Sequence, residues 1–165
     1  MEKTNGCKSG KTAIFPGTFD PFTLGHLSVV ERGLNFADKI IVAIGVNLDK
    51  KTLFSAEQRM EMISRLFADE PRVKVECYSG LTVDFASKRD ADFILRGLRS
   101  FTDFEYERSI AELNRKISGI ETVFLFTEPE YAHISSSAVR ELFEWKRPVT
   151  GLVPEKMNIN EYINY

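Results

Sequence analysis

Pro16-Gly17-Thr18-Phe19-Asp20-Pro21-Phe22-Thr23-Leu24-Gly25-His26 gathers two glycines, two hydroxyls and an imidazole in one short stretch. Gly17 permits close backbone approach. Gly25 leaves the entry to a following helix open, so that the helix's unpaired N–H groups can face an anion. His26 then falls in the first helical turn, where the positive end of the helix disfavours an imidazolium and leaves a neutral ring able to donate to a phosphate oxygen. A capping or half-buried structural histidine is the plainer alternative, but the Gly-x-x-Asp-Pro-x-x-x-Gly-His context favours the phosphate. Asp20 fits an Asx turn ahead of Pro21 better than it fits a metal ligand.

Two further groups have the same character. Arg96 and Arg99 stand three apart around Gly97 and Leu98, after an apolar run, so two guanidinium groups could reach neighbouring parts of a polyphosphate. Ser135-Ser136-Ser137 follows Ile134 and opens a helical pattern, where the hydroxyls could cap the helix or, with its N–H groups, hold phosphates. Lys50-Lys51 is either a solvated pair or a phosphate contact. Glu107, within Phe104-Glu105-Tyr106-Glu107, belongs to ordinary amphipathic surface or to a contact between copies, and His133 fits a loop.

These residues need elements to carry them. The β-prone run from Thr12 to Phe15 precedes a helical pattern from Gly25 to Phe36. The apolar run from Ile40 to Val46 precedes a helix from Ser55 to Phe67, started by a Ser55/Gln58 capping box and striped by Met60, Ile63 and Phe67. The alternation recurs as strand Arg72 to Tyr78 with helix Thr82 to Arg89, strand Asp92 to Leu95 with helix Thr102 to Ile117, and strand Glu121 to Thr127 with helix Ser136 to Trp145. Five strands alternating with helices, the second and fifth uniformly apolar, predict an α/β fold: a doubly wound five-stranded parallel sheet, Rossmann-like, with a short C-terminal helical appendage from Pro154. In such sheets ligands bind beyond the carboxyl ends of strands. All three groups follow strands, so their loops can converge on one cleft.

The chain has 165 residues, consistent with a single domain over 11–165 behind a flexible segment at 1–10. Its 22 basic and 24 acidic residues give a net charge of −2, which offers no overall field for a nucleic-acid backbone. Any polyanion must be bound locally. Two cysteines, Cys7 and Cys77, without CxxC or Cys/His clustering, suggest neither a disulfide framework nor a zinc site, and no metal-ligand set stands out. Without an apolar leader or a run long enough to span a bilayer, the expectation is a cytoplasmic protein with no membrane partner. Gly6-Cys7-Lys8-Ser9-Gly10-Lys11-Thr12 imitates a Walker A loop, but three residues separate its glycines where four are needed, and it precedes the first strand instead of following one.

The three motifs, with Asp103-Phe104-Glu105-Tyr106-Glu107 beside the second, resemble those of the bacterial phosphopantetheine adenylyltransferases, in the nucleotidyltransferase superfamily. The resemblance runs from about Lys11 to Pro154; Leu24 stands where that family commonly has Asn. It implies transfer of the AMP part of ATP to 4′-phosphopantetheine, giving dephospho-coenzyme A and pyrophosphate, with Mg2+. It implies catalytic roles for His26, Thr18 and Lys50. Thr18, Lys50, Thr82 and Arg96 would serve the phosphopantetheine side. Thr18, Phe19, His26, Gly97, Leu98, Arg99, Glu107 and the loop Tyr131, Ala132, His133, Ile134, Ser135, Ser136 and Ser137 would line the ATP site. A homohexamer and feedback inhibition by coenzyme A are further implications. The alternative is adenylyl or cytidylyl transfer to another phosphorylated small molecule; relatives of that kind usually carry His where Thr23 stands.

Overall fold

The computed structural model describes residues 10–47 and 49–163, so the segment expected to be flexible lies outside the described residues except for Gly10, and of the near-Walker segment only Gly10, Lys11 and Thr12 are described. Five strands, β1 (Thr12–Gly17), β2 (Lys39–Gly45), β3 (Val73–Tyr78), β4 (Phe93–Leu98) and β5 (Glu121–Phe126), alternate with α1 (Leu24–Gly33), α2 (Ala56–Leu66), α3 (Thr82–Lys88), α4 (Phe101–Ser118) and α5 (Ser136–Glu144). Every pairing is parallel, and the order across the sheet is β3-β2-β1-β4-β5. This is the doubly wound Rossmann-like sheet that the alternation predicts.

Successive strand side chains point to opposite faces, so the apolar run of β2 divides between two cores. Val42 and Ile44 join Phe15, Val30, Met62, Ile63, Val139 and Phe143 on the larger side; Ile41 and Ala43 join Ile14, Phe85 and Ala86 on the other. The short C-terminal appendage consists of two 3-10 turns, Glu155–Met157 and Ile159–Tyr162, and its Met157 and Ile159 complete the larger core.

Three expectations change in detail. The apolar character of the fifth strand does not mark burial on both faces: β5 is an edge strand, only partly buried, with Phe126 63% exposed. In α2 the inward stripe runs through Met62 and Ile63, while Met60 faces solvent. β4 continues three residues beyond the expected Leu95, through Arg96, Gly97 and Leu98, which pair with Phe124, Leu125 and Phe126, so these are strand residues and not loop residues. Among the described residues no helix is long and apolar enough to cross a membrane.

α1 lies close to β4 because Gly97 has no side chain: a Cβ there would stand 2.9 Å from Val29 Cγ2. Val29 is buried and its branched side chain is stiff in a helix, so the helix itself would have to move. Gly97→Ala should therefore destabilise the protein by about 1–3 kcal/mol, read as a melting temperature lower by roughly 2–4 °C per kcal/mol. An unchanged melting temperature would show that α1 has room to spare.

Candidate active site

β1 is the middle strand, with β2 on one side and β4 on the other, so the strand order reverses direction beside its carboxyl end. A cavity of about 340 Å³ opens there, between the β1–α1 loop, the end of β4 and the start of α5. A second, of about 420 Å³, opens toward β3, α3 and α4, where Tyr78, Thr82, Tyr106 and Asn114 line it. Pro16, Gly17, Thr18, Lys50, Arg96 and Glu107 line both and form their common wall.

His26 is the third residue of α1. Thr23, the N-cap, accepts from His26 N–H through Oγ1 (3.4 Å), while Thr23 N–H donates to His26 Nδ1 (3.0 Å). A backbone N–H can only donate, so Nδ1 carries no proton, and the neutral ring offers its Nε2–H to the first cavity. Phe15, Phe19 and Phe22 pack round the ring, Phe19 edge-on at 5.1 Å. This burial, reinforced by the guanidinium charges of Arg96 and Arg99, lowers the pKa of His26 from the usual 6.5 to about 3. The capping and neutral-donor readings of His26 are thus one arrangement.

The close approach at Gly17 serves the neighbouring ring. A Cβ there would meet the Phe19 ring at 2.7 Å, and Phe19 itself sits at φ 51°. Asp20 does not form the expected Asx turn. It is 3% exposed, and its carboxylate accepts from Leu53 N–H (2.8 Å) and Phe54 N–H (2.9 Å), tying the β1–α1 loop to the segment before α2.

Lys50 Nζ donates to Thr18 Oγ1 (3.2 Å) on the common wall. Arg96 makes a two-pronged contact with the Glu107 carboxylate, Nε to Oε2 at 2.8 Å, and donates to Pro16 O from Nη1. Glu107, expected on the ATP side, is thus the partner that orients Arg96. Arg99 lines only the first cavity and pairs with Asp103 at 3.4 Å. Ser135 caps α5 through Ala138 N–H, Ser136 donates to Pro21 O (2.8 Å), and Ser137 Oγ accepts from Arg140, so all three hydroxyls have structural partners while the helix start faces the cavity.

Four residues carried by the resemblance stand off the cavity wall. Leu98 is buried beneath it, its carbonyl accepting from Thr127 N–H. The 3-10 turn Pro129–Tyr131 carries Tyr131, Ala132 and His133 outward, the last two exposed, before Ile134 returns to the wall. Conversely, Arg140 lines the first cavity, donating to Asp20 O (2.7 Å) and Ser137 Oγ (3.1 Å). Its position four residues after Ser136, on the same face of α5, was the sequence signal for it. Lys51 also lines this cavity, which gathers Lys50, Lys51, Arg96, Arg99 and Arg140 against Asp20, Asp103 and Glu107 in a chain whose net charge is negative.

A parallel switch-point cleft, a neutral donor at a helix start and clustered guanidinium groups suit nucleotide phosphates, and the relatives agree. Residues 14–142 match the model of the cytidylyltransferase-like family. The chain is 57% identical to the phosphopantetheine adenylyltransferase of Phocaeicola vulgatus over 91% of its own length and 99% of that protein. It is 55% identical to that of Bacteroides thetaiotaomicron over the same shares, and 46% identical to that of Geobacter metallireducens over 87% and 89%. The chain belongs to the phosphopantetheine adenylyltransferase family. Members of this family are nucleotidyltransferases, and Thr18, Lys50 and Arg96 stand on the wall that the two cavities share.

The state of His26 has a measurable consequence. In the unfolded chain it titrates near 6.5 and in the folded protein near 3, so between these values the unfolded chain binds the extra proton and stability falls as pH falls. His26→Gln removes that dependence. The melting temperature of the parent, relative to the variant, should drop progressively from pH 7 to pH 4; a constant difference would mean that the ring is not held neutral.

Proposed function

We propose that this chain transfers the adenylyl group of ATP to 4′-phosphopantetheine, releasing pyrophosphate and giving dephospho-coenzyme A. The observation that carries the reading is the pair of adjoining cavities with one cationic wall between them. ATP occupies the first cavity and the acceptor the second, with its phosphate against Lys50, Thr18 and Arg96. An acceptor phosphate oxygen attacks the α-phosphorus in line, the new P–O bond forms, and the bond from the α-phosphorus to the bridging oxygen of pyrophosphate breaks. The nucleophile is already ionised at pH 7, so no general base is required. The residues act by positioning and by stabilising charge. His26 Nε2–H donates to an α-phosphate oxygen as charge is redistributed, Lys50 and Arg96 hold the acceptor phosphate, and Arg99 with the start of α5 holds the nucleotide's phosphates.

Among the described residues no group of three or more His, Cys, Asp or Glu side chains could hold a metal ion. Mg2+ would accordingly enter on the triphosphate, as Mg–ATP, with phosphate oxygens and water as its ligands. Coenzyme A carries the same phosphopantetheine arm as the product, which supports its competing for the second cavity. Apolar surface exposed on α4 and β5, including Phe101, Leu113, Ile117 and Phe126, supports contact between copies and the homohexamer implied by the resemblance. The cytoplasm, where ATP is available, is the fitting compartment.

The test is pyrophosphate release with ATP and 4′-phosphopantetheine beside nicotinate mononucleotide and glycerol phosphate, run on the parent and on His26→Ala. Release should require 4′-phosphopantetheine. Removing one pre-placed donor lowers kcat by ~10²–10³ in comparable sites, so His26→Ala should turn over slower by about that factor with KM for ATP little changed. Equal turnover with another acceptor would sink the substrate assignment, and a loss lying wholly in KM would sink the role of His26.

A further inference from the structure

Arg59 lies one turn into α2, on the helix face that carries Met62 and Ile63 into the core, and is 3% exposed. Among the described residues no carboxylate pairs with it. Its guanidinium is held by backbone carbonyls: Nε donates to Phe54 O (3.2 Å) and Ser55 O (3.3 Å), and Nη1 to Thr18 O (2.5 Å) and, at longer range, Gly45 O (3.5 Å). Burying a guanidinium without a carboxylate at ion-pair distance is costly, and an apolar side chain would fill the space without that cost. What the guanidinium supplies is the set of bonds itself.

Those carbonyls belong to three segments that meet behind the common wall. Thr18 follows β1, Gly45 ends β2, and Phe54-Ser55 enters α2. Gly45 and Phe54 bracket the segment that carries Lys50, and Thr18 is the residue whose hydroxyl accepts from Lys50 Nζ. Arg59 therefore grips both ends of the Lys50 segment and the backbone of Lys50's partner. Asp20 makes the complementary bonds from the other side, accepting from Leu53 and Phe54 N–H.

We infer that Arg59 is a positioning residue for adenylyl transfer: by clamping Thr18, Gly45 and Phe54 together it fixes the Lys50 ammonium against Thr18 at the junction of the two cavities. The inference rests on the transfer reading given above and deepens it. Arg59 touches neither substrate and acts through Lys50. A lysine at this position keeps the charge but, as a compact ammonium, cannot span three segments in the planar fork of a guanidinium.

The experiment is a double-mutant cycle on purified full-length protein, with kcat and both KM values measured by pyrophosphate release for the parent, Arg59→Lys, Lys50→Ala and the double variant, and with melting temperatures alongside. A misplacement of about 1 Å at a reacting centre can cost ~10²-fold, so Arg59→Lys should lower kcat by roughly 10- to 100-fold. In the Lys50→Ala background the same substitution should cost less than about threefold, because the group it positions is already gone. Arg59→Gln, which keeps amide donors and loses the charge, runs through the same cycle should Arg59→Lys not fold. Losses that multiply across the two backgrounds, a loss confined to KM for ATP, or the failure of both variants to fold would each overturn the inference, the last by making Arg59 a requirement of the fold alone. A parent protein that releases no pyrophosphate overturns the transfer reading first, an outcome distinct from an active parent whose Arg59 variants match it.

Discussion

A peptide N–H can donate but never accept, and the donation from Thr23 to His26 Nδ1 constrains the whole centre of this molecule. Thr23 is almost wholly buried at the start of α1, where an unpaired N–H would carry the desolvation penalty of an orphan donor. A helix start of this kind is usually closed by Glu or Gln at the third position. Glu would satisfy the cap but aim an anion at the phosphate side, and Gln would bring a more flexible amide. Imidazole satisfies the cap with one nitrogen and, because that nitrogen must be bare, presents a proton on the other. The bond that starts the helix therefore also sets the tautomer. The Phe15, Phe19 and Phe22 rings keep water from reversing it, and Gly17 makes space for the Phe19 ring.

The two cavities follow from the position of β1. A middle strand in a parallel sheet has a neighbour on each side and a helical layer on each face, so the residues at and just past its carboxyl end are open to both layers. Pro16, Gly17 and Thr18 are those residues, and they belong to both cavities. Gly97 lets α1 settle against β4, which brings the His26 end of that helix over the same point. A two-substrate transfer needs one place where both reacting groups are held, and the middle strand of this topology supplies it.

The fold was legible because both of its signals are local: apolar, β-branched runs such as that of β2, and caps such as Ser55 with Gln58, repeat in an order that one architecture satisfies. The three motifs were legible because glycine, histidine, arginine and serine stand together at or after the carboxyl ends of strands. What was not legible depends on long-range partners. Asp20 next to Pro21 has a local explanation in an Asx turn, and only the approach of residues 53 and 54, more than thirty positions away, replaces it. Arg59 sits between Glu57 and Glu61 in sequence and so resembles surface charge; its place on the Met62 and Ile63 face was a signal, but the carbonyls that receive it come from three segments. The apolar run of β5 carries no mark of being an edge, since sheet order is set by the crossovers and not by the strand's own composition.

Several of the site's cations already have partners in this structure. Arg96 lies on Glu107, Arg99 on Asp103, and Arg140 on the Asp20 carbonyl, with the Asp20 carboxylate a further 3.8 Å contact. A phosphate that engages them must share or displace those partners, which lowers the net gain, yet the same partners hold the guanidinium groups in place beforehand and so reduce the side-chain entropy lost on binding. The balance differs from residue to residue. Glu107 is mostly buried and grips Arg96 with both oxygens, so Arg96 acts as a fixed donor whose orientation is set by the fold. Arg99 and Asp103 are a longer, more exposed pair, and such pairs contribute little that a phosphate could not replace. Rigid charge stands on the wall common to both cavities, and adaptable charge stands in the first cavity alone.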